Sequence, residues 1–324
     1  MPTYNQCQYL PTAIESVLGQ TFSDYELIIS DNASSDDTEH VAMSYAKSDR
    51  RLHYYRNSAN LGVCRNFDLS LTRASHSSHF AFLSSDDWWH PTLLERLVAS
   101  AAIAPSATLV HCDAYRVDET GAIINLYSEL WPEMPPVGSH RSIRELFLNG
   151  CYFNINATLI NRSQLLALYP NDQLFDPTLK YTPDYHLWLQ LMIRGATAYY
   201  VPEPLAFYRK HDAAHTTTKN VIARLQEQVL IFREKLAEVC PAQYESLRQE
   251  ALLINLKQLG FVLLAAGRKA EALPVLTEAH QLAAGRQLDV KVAARLAASP
   301  LPPTLAAWGW RAVAAGAQKV RQNS

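Results

Sequence analysis

Residues 80–89 read Phe-Ala-Phe-Leu-Ser-Ser-Asp-Asp-Trp-Trp, so an apolar run stops at two adjacent carboxylates, Asp86 and Asp87. The first four residues have strand character, and open α/β folds bind ligands where such strands end. Pro91 then favours the start of a helix, because proline is common at the first helical position. The stretch therefore predicts a strand, a polar loop and a helix of an α/β fold.

The two carboxylates have two interpretations, and the residues alone leave both open. Hard cations such as Mg²⁺ and Mn²⁺ take oxygen ligands and are often held by one or two carboxylates together with substrate phosphates. On this reading Asp86 and Asp87 form a metal site that binds a nucleotide phosphate. On the other reading they cap and charge the first turn of the following helix, where acidic side chains are favoured anyway.

The composition limits the classes of protein to consider. With 324 residues, 48% of them hydrophobic, the chain can bury a full α/β core and still have about 100 residues for a second unit. Its 29 basic and 31 acidic residues give a net charge of −2. Such a balance lacks the basic surface of nucleic-acid-binding proteins, so we expect no nucleic acid partner.

The cysteines and the hydropathy suggest a compartment. Five scattered cysteines without the spacing of a zinc site predict a reducing environment. No window reaches the roughly 18 apolar residues that a membrane helix needs, and the first residues do not have the pattern of a leader. We therefore expect a cytoplasmic chain, soluble or peripheral at the inner face of the plasma membrane.

Strand-like and helical segments alternate in the first third of the chain. Expected strands are 25–30, 52–55 and 80–83, and expected helices are 38–47 and a segment that ends at Leu71. Asn5 is expected to cap a helix that begins before them. This alternation argues for βαβ units and a mostly parallel sheet flanked by helices. Right-handed crossovers would place the strand-end loops on one rim, where these residues would meet: Thr3, Tyr4, Asp31, Arg65 and Asp87.

Seven short motifs follow one another through the first 211 residues. They are 2–5 (Pro-Thr-Tyr-Asn), 20–22 (Gln-Thr-Phe), 28–36 (Ile-Ile-Ser-Asp-Asn-Ala-Ser-Ser-Asp), 60–62 with 65–66 (Asn-Leu-Gly, Arg-Asn), 83–87 (Leu-Ser-Ser-Asp-Asp), 182–185 with 187–189 (Thr-Pro-Asp-Tyr, Leu-Trp-Leu) and 208–211 (Tyr-Arg-Lys-His). In this order they resemble the GT-A fold of family 2 glycosyltransferases, which move a sugar from a nucleoside diphosphate with inversion.

The resemblance implies roles for individual residues. It implies donor contacts for Pro2, Thr3, Tyr4, Asn5, Asp31, Asn60, Arg65, Asp86 and Arg209. It implies a Mn²⁺ or Mg²⁺ cofactor held by Asp87, with help from Asp86 and His211. Asp184 is implied as the catalytic base that accepts the proton of the acceptor hydroxyl.

The resemblance also implies the substrates. The donor would be a UDP-, dTDP- or GDP-sugar, and the acceptor a glycan or a lipid-linked molecule in bacterial-type surface polysaccharide or glycoconjugate synthesis. The Gln-x-x-Arg-Trp signature of processive synthases is absent, so we expect one sugar per encounter. Acceptor choice is expected in the proline-rich region 127–140 and in 149–156.

Two departures from the family pattern support an alternative. Ser84 takes the position of the first aspartate of the metal motif, and Pro183 replaces a glutamate that often precedes the base. A catalytically impaired glycosyltransferase-like protein that binds or scaffolds an assembly is therefore the second hypothesis. A dinucleotide-binding oxidoreductase is disfavoured, because no G-x-G-x-x-G follows a strand.

The candidate site residues also have structural interpretations. Capping would explain Asp184, turn formation would explain Asp31 and Asp36, a solvated loop would explain Arg209 and His211, and core packing would explain Trp88 and Trp89.

The chain from 220 to 324 reads as a helical extension after a domain of residues 1–219. Residues 251–266 and 276–283 resemble one tetratricopeptide-like helix pair with Gly267 at the turn, but stable arrays need about three repeats. A helical cap is the simpler interpretation. Residues 305–321 mix tryptophan with basic side chains, a composition typical of contact with a membrane surface.

Residues 1–5 lead to one further prediction, which concerns a strand expected before them. Residues 2–5 match a loop that in the family follows a central, buried strand, and no such strand precedes them here. Omitting a central strand would leave backbone groups of both neighbours unpaired. We expect that the natural protein begins upstream and that Met1 lies at the end of the missing strand.

Overall fold

The computed structural model describes residues 1–74, 76–131, 134–170, 173–211 and 220–283. The chain divides into two compact units, Met1–Thr217 and Thr218–Ser324. The division lies close to the expected domain boundary, and the catalytic and accessory roles of the two units stay predictions.

The first unit alternates strands and helices. Its strands are β1 (Pro2–Thr3), β2 (Leu27–Asp31), β3 (Leu52–Arg56), β4 (His79–Ala81), β5 (Trp88–Trp89), β6 (Leu109–Val117), β7 (Ile123–Leu126), β8 (Gly138–His140), β9 (Thr158–Asn161) and β10 (Ala198–Arg209). Its α-helices are α1 (Leu10–Leu18), α2 (Thr38–Ala46), α3 (Val63–Arg73), α4 (Leu93–Ile103), α5 (Ile143–Asn149), α6 (Arg162–Leu168) and α7 (Pro183–Ile193).

The described strands form two sheets. In the first, β1, β2 and β3 are parallel and lie in that order. In the second, the order is β4-β9-β6-β10-β5, with β7 paired to β6 and β8 to β10. There β6 and β10 run parallel, whereas β9 is antiparallel to both of its neighbours and β5 is antiparallel to β10. The predicted α/β class is confirmed, and the antiparallel pairs belong to the second sheet.

One hydrophobic core contains residues of both sheets. Every residue of β2 is buried, as expected of a strand covered on both faces. Helix α1 buries Leu10, Ile14 and Val17 at helical spacing, and α4 buries Leu93 and Leu97 in the same cluster. The amphipathic helices therefore lie against the sheets as the periodicity predicts.

Two local predictions are corrected by the structure. The strand expected at 80–83 is β4, which ends at Ala81, because its pairing with β9 does not continue to the buried Phe82 and Leu83. Asn5 does not cap a helix, since α1 begins at Leu10. Asn5 instead adopts a φ of +51° and bonds to the loop after β2.

A cavity of about 560 Å³ lies beside Met1, between β2 and β4. Residues of β2, of β4 and of the end of α3 line it, among them Ile28, Phe80 and Ala74. The terminal nitrogen of Met1 is buried and donates to the carbonyl oxygen of Ile28 at 2.6 Å. Burial lowers the pKa of this group to about 5.

The second unit is helical in its described part. It contains α8 (Val221–Leu230), a π-helical turn (Ile231–Lys235), α9 (Ala242–Ala265) and α10 (Lys269–Ala283). Helices α9 and α10 lie so close that a Cβ on Gly260 would collide with Leu276, and Gly267 makes the turn between them with a φ of +76°.

No helix of the described residues is long and apolar enough to cross a membrane. The membrane contact expected of residues 305–321 lies outside the described residues and stays a prediction.

Candidate active site

Asp86 and Asp87 lie in the loop between β4 and β5. Helix α4 begins only at Leu93, after β5 and a short connection. The interpretation of the two aspartates as caps of that helix is therefore wrong.

Asp87 is buried, and both of its carboxylate oxygens accept hydrogen bonds. Oδ2 accepts from the side-chain amide of Asn156, and Oδ1 accepts from the backbone N–H of Arg209 at 2.7 Å. Burial, followed by the charge of Asp86, raises the pKa of Asp87 well above its ordinary value. Asp87 thus ties the loop to β10 and to the turn before β9. Its role as the main metal ligand stays a prediction.

Asp86 faces the residues that follow β10. Its Oδ2 lies 2.9 Å from Nε2 of His211. The side chain of Asp86 is 19% exposed and that of His211 is 3% exposed, so the pair is open to solvent on the Asp86 side. The ring of Tyr9 lies against the imidazole, with 5.0 Å between the ring centroids.

Arg209 is enclosed by two aromatic rings and two backbone carbonyls. Its guanidinium lies 4.6 Å from the ring centroid of Trp88 and 4.9 Å from that of Tyr9. Nε donates to the carbonyl oxygen of Asp86 at 3.0 Å, and Nη1 donates to that of Glu119 at 2.7 Å. Arg209 therefore holds the backbone of Asp86 in place and supplies positive charge next to it.

The interpretation of Arg209 and His211 as residues of a solvated loop is wrong, because each is only 7% exposed. The phosphate contact implied for Arg209 stays a prediction.

Asp31 ends β2 and is completely buried. Its Oδ1 accepts from the backbone N–H and the hydroxyl of Ser34, and its Oδ2 accepts from Tyr54 at 2.7 Å and Arg56 at 3.0 Å. Asp36 likewise accepts two backbone N–H groups. Both aspartates therefore shape the loop after β2, and a contact of Asp31 with a nucleoside stays a prediction.

Side-chain amides join the loops that follow β1, β2 and β3. Asn5 accepts from the backbone N–H of Ser35 at 2.8 Å. Asn32 donates to Oδ1 of Asn60 at 2.8 Å. The three strand ends thus form one rim, as the parallel order predicts.

The remaining donor-side residues differ in exposure. Pro2 and Thr3 are buried in β1, and the Thr3 hydroxyl has no hydrogen-bond partner among the described residues. Tyr4 is 44% exposed beside them. Arg65 is exposed on the first turn of α3. Tyr4 and Arg65 therefore offer an aromatic ring and a cation at the rim.

Asp184 is the second residue of α7, and Thr182 occupies the N-cap position. The interpretation of Asp184 as the helix cap is therefore wrong. Its charge lies near Cys151, whose pKa is raised first by burial and then by Asp184. Cys151 of the segment 149–156 thus lies near Asp184, and the contribution of this segment to acceptor choice stays a prediction.

Asn156 bonds residues of the loop between β4 and β5 (the metal loop), and its role could not be predicted from the sequence. Its Oδ1 accepts from the backbone N–H of Ser84 at 2.7 Å, while its amide nitrogen bonds Asp87. Its carbonyl oxygen accepts from the indole of Trp89 at 2.6 Å. Trp88 stacks on Phe207 with 4.9 Å between ring centroids, so both tryptophans belong to the framework of the site. No local signal identifies a partner 69 residues away.

The side chains present fit a divalent cation that also binds the substrate. Among the described residues no group of three or more His, Cys, Asp and Glu side chains could hold a metal ion. Asp86 and His211 supply one carboxylate and one imidazole. Mg²⁺ and Mn²⁺ are commonly held by one or two side chains together with water and phosphate oxygens. Binding of such a cation would therefore depend on a phosphate-bearing ligand that completes its coordination.

Comparison with known proteins relates the chain to a family. The model of Glycosyl transferase family 2 matches residues 1–163. An uncharacterised glycosyltransferase of Rickettsia typhi is 28% identical over 231 residues, which are 70% of this chain and 67% of that protein. A putative teichuronic acid biosynthesis glycosyltransferase, TuaG of Bacillus subtilis, is 28% identical over 64% of this chain and 76% of its own length.

Solved structures share the fold. Residues 1–349 of TarS from S. aureus, in complex with UDP-GlcNAc, match 100% of this chain and 90% of that chain, with a TM-score of 0.64 and 17% identity. The mannosyltransferase PcManGT of Pyrobaculum calidifontis, in complex with GDP-Man and Mn²⁺, matches 95% of this chain and 81% of that chain, with a TM-score of 0.59 and 18% identity.

Proposed function

Because the chain belongs to glycosyltransferase family 2, we propose that it is an inverting, non-processive transferase of the GT-A fold that moves one sugar from a nucleoside diphosphate to an acceptor hydroxyl. The observation that carries the proposal is the distance of 2.9 Å between Asp86 Oδ2, in the loop between β4 and β5, and His211 Nε2, just after β10. It provides a partial cation site at a point where a diphosphate can complete the ligand set.

The cation would be Mn²⁺ or Mg²⁺, held by Asp86 and His211. When bound, it would neutralise the charge that develops on the departing diphosphate. Asp87 and Arg209 hold the loop that carries Asp86, through the bonds to Asn156 and to the Asp86 and Glu119 carbonyls. A Mn²⁺ complex of the structural neighbour PcManGT supports this choice of cation.

The donor would be a UDP-, dTDP- or GDP-sugar, bound at the rim formed by the loops after β1, β2 and β3. Neighbours of the same fold bind UDP-GlcNAc and GDP-Man. Tyr4 is exposed and would contact the nucleobase of the donor. Arg65 is exposed and would contact an anionic group of the donor.

Asp184 would accept the proton of the acceptor hydroxyl at its carboxylate. It stands in the first turn of α7, where the helix dipole favours a negative charge. The neighbouring segment 149–156 would contribute to acceptor binding. A glycan or lipid-linked acceptor in surface polysaccharide synthesis is supported by the named role of the relative TuaG in teichuronic acid biosynthesis.

The experiment is a thermal-shift screen of UDP-, dTDP- and GDP-sugars with and without Mn²⁺, followed by a transfer assay with the stabilising donor. We expect one donor class to raise the melting temperature only when Mn²⁺ is present. The Asp86→Asn variant should lose this shift, and Asp118→Asn, a change in a surface hairpin, should keep it. A chain that binds donor but never transfers sugar would instead be the impaired, scaffold-type protein.

A further inference from the structure

The segment that leads into α7 has no regular secondary structure of its own from residue 174 to residue 182. It is held against one face of α3, where residues spaced by three and four positions lie side by side. Leu174, Phe175 and Leu179 of the segment are each buried. The position of Asp184 therefore depends on how firmly α3 holds the residues before it.

Asp68 provides the polar part of this attachment. Its Oδ1 accepts from the backbone N–H of Leu174 at 2.9 Å and from that of Phe175 at 3.4 Å. One turn earlier, Sγ of Cys64 lies 3.3 Å from the carbonyl oxygens of Asp176 and Leu179. Residues at both ends of the stretch 174–179 are thus bonded to the same helix.

An aromatic cluster provides the apolar part. The ring of Phe67 lies 5.2 Å from that of Phe175 and 5.0 Å from that of Phe82, measured between centroids. Phe82 precedes the loop that carries Asp86. The cluster therefore joins α3, the segment before α7 and the metal loop.

Helix α3 is also hydrogen-bonded to β2. The side-chain amide of Asn66 donates to the carbonyl oxygen of Ser30 at 2.9 Å, and its Oδ1 accepts from the Ser30 hydroxyl at 2.8 Å. The next residue after Ser30 is Asp31, which shapes the donor-side loop. Helix α3 thus connects the donor rim to the segment that carries Asp184.

Asp68 is costly to bury. Only 8% of the residue is exposed, and Oδ2 has no hydrogen-bond partner among the described residues. Burial raises the pKa of Asp68 to about 6, against the two backbone N–H groups and the charge of Arg65, which lower it. An apolar side chain or an amide would avoid the penalty of a buried, partly unpaired carboxylate.

We propose that Asp68 is a positioning residue whose Oδ1 anchors the segment 174–179 on α3 and so sets the place of Asp184 beside the acceptor. This rests on the proposed role of Asp184 as the base. Burial raises the pKa of Asp68 in the attached state above that of a solvated carboxyl, so protonation favours the attached state. The attachment therefore does not weaken as the pH falls through about 6.

The test compares the wild type with Asp68→Ala and Asp68→Asn in the transfer assay, from about pH 5 to about pH 8, on both sides of the Asp68 pKa. Asp68→Ala should reduce kcat/KM for the acceptor at least about tenfold, because small displacements of a catalytic group are costly, and should leave the KM for donor unchanged. Asp68→Asn keeps an oxygen for the two N–H groups and is neutral at every pH of the assay. It should therefore retain most of the kcat/KM for the acceptor, a rescue that a merely space-filling role of Asp68 does not require.

Hydrogen exchange of the amides of Leu174 and Phe175 gives a readout that needs no activity. Exchange should be faster in Asp68→Ala than in the wild type and close to the wild-type rate in Asp68→Asn, and in the wild type it should not accelerate relative to intrinsic rates as the pH is lowered through about 6. The proposal is overturned if Asp68→Ala leaves acceptor kinetics and this exchange unchanged, or if Asp68→Asn loses as much as Asp68→Ala. Failure of the proposed function looks different, since the wild type itself would then transfer no sugar.

Discussion

His211 Nε2 and Asp86 Oδ2 lie 2.9 Å apart although 125 residues separate them in the chain. Asp87, next to Asp86, turns the other way and bonds Asn156 and the backbone of Arg209. The two adjacent carboxylates therefore have different roles. Asp86 faces His211, whereas Asp87 holds the loop between β4 and β5 in place.

This division predicts opposite effects for two alanine variants. Asp87→Ala leaves two buried N–H donors without partners and should cost about 2 to 5 kcal/mol of unfolding free energy. Asp86→Ala should cost less stability and abolish Mn²⁺ binding in the presence of nucleotide. Urea unfolding and isothermal titration measure the two effects. Normal metal binding by Asp86→Ala would instead identify Asp87 as the main ligand.

Asp184→Asn should slow transfer at least about a hundredfold, because a general base contributes on that scale. Donor affinity should not change, since Asp184 stands on the acceptor side. Single-turnover rates and donor titration separate the two quantities. Asp118→Asn, the change in the surface hairpin used above, serves as a control and should remain active. Full turnover by Asp184→Asn would exclude this residue as the base.

Asn156→Ala should destabilise the metal loop without removing any proposed ligand. It leaves Asp87 Oδ2 and the Ser84 N–H unpaired, a loss of about 2 to 4 kcal/mol. The expected result is a lower melting temperature together with weaker Mn²⁺ binding. Asn125→Ala, which removes a partly buried partner of Arg116, is the matched control. If Asn156→Ala melts like that control, the loop does not depend on Asn156.

The buried terminal nitrogen of Met1 predicts a pH dependence of stability. Between pH 5 and 8 the folded chain holds this group as a neutral amine, whereas the unfolded chain holds it protonated. The unfolded state then binds more protons, so stability should rise with pH through this window. The full effect is on the order of 4 kcal/mol for a shift of about three units. Melting temperatures between about pH 6.5 and 8 measure it where Asp68 is already ionised.

An extension placed before Met1 provides the control for this prediction. Adding about five apolar, β-branched residues moves the amine away from Ile28 and offers the cavity between β2 and β4 a strand of ordinary length. This variant should lose the pH dependence and melt at a higher temperature. A Gly/Ser extension of equal length should lose the pH dependence but gain little stability. Equal melting temperatures for the two extensions would show that the cavity does not accept a strand.

Local sequence patterns predicted most of the first sheet. The apolar run before Asp31 and the periodicity of α1 each determine structure within a few residues. These features depend on backbone preference and on burial of one face, which neighbouring residues control. The class of the fold followed from their alternation.

The contacts that define the site could not be predicted in the same way. The strand before Asp86 pairs antiparallel with β9, which is about 80 residues further along the chain. Asp31 has the marks of an exposed turn residue, yet Tyr54 and Arg56 of the adjacent strand enclose it. Such partners are set by sheet order, and a single sequence does not encode sheet order locally.

The position of β10 has a consequence for the synthesis of the protein on the ribosome. β10 lies between β6 and β5, and its last residue, Arg209, bonds the buried Asp87. Until residue 209 has emerged, the edge of β6 stays unpaired and β5 has no sheet to join. Such edges invite pairing with other chains. The nascent polypeptide therefore passes through a long aggregation-prone stage, and we expect its yield in cells to depend on chaperones that shield this edge during translation.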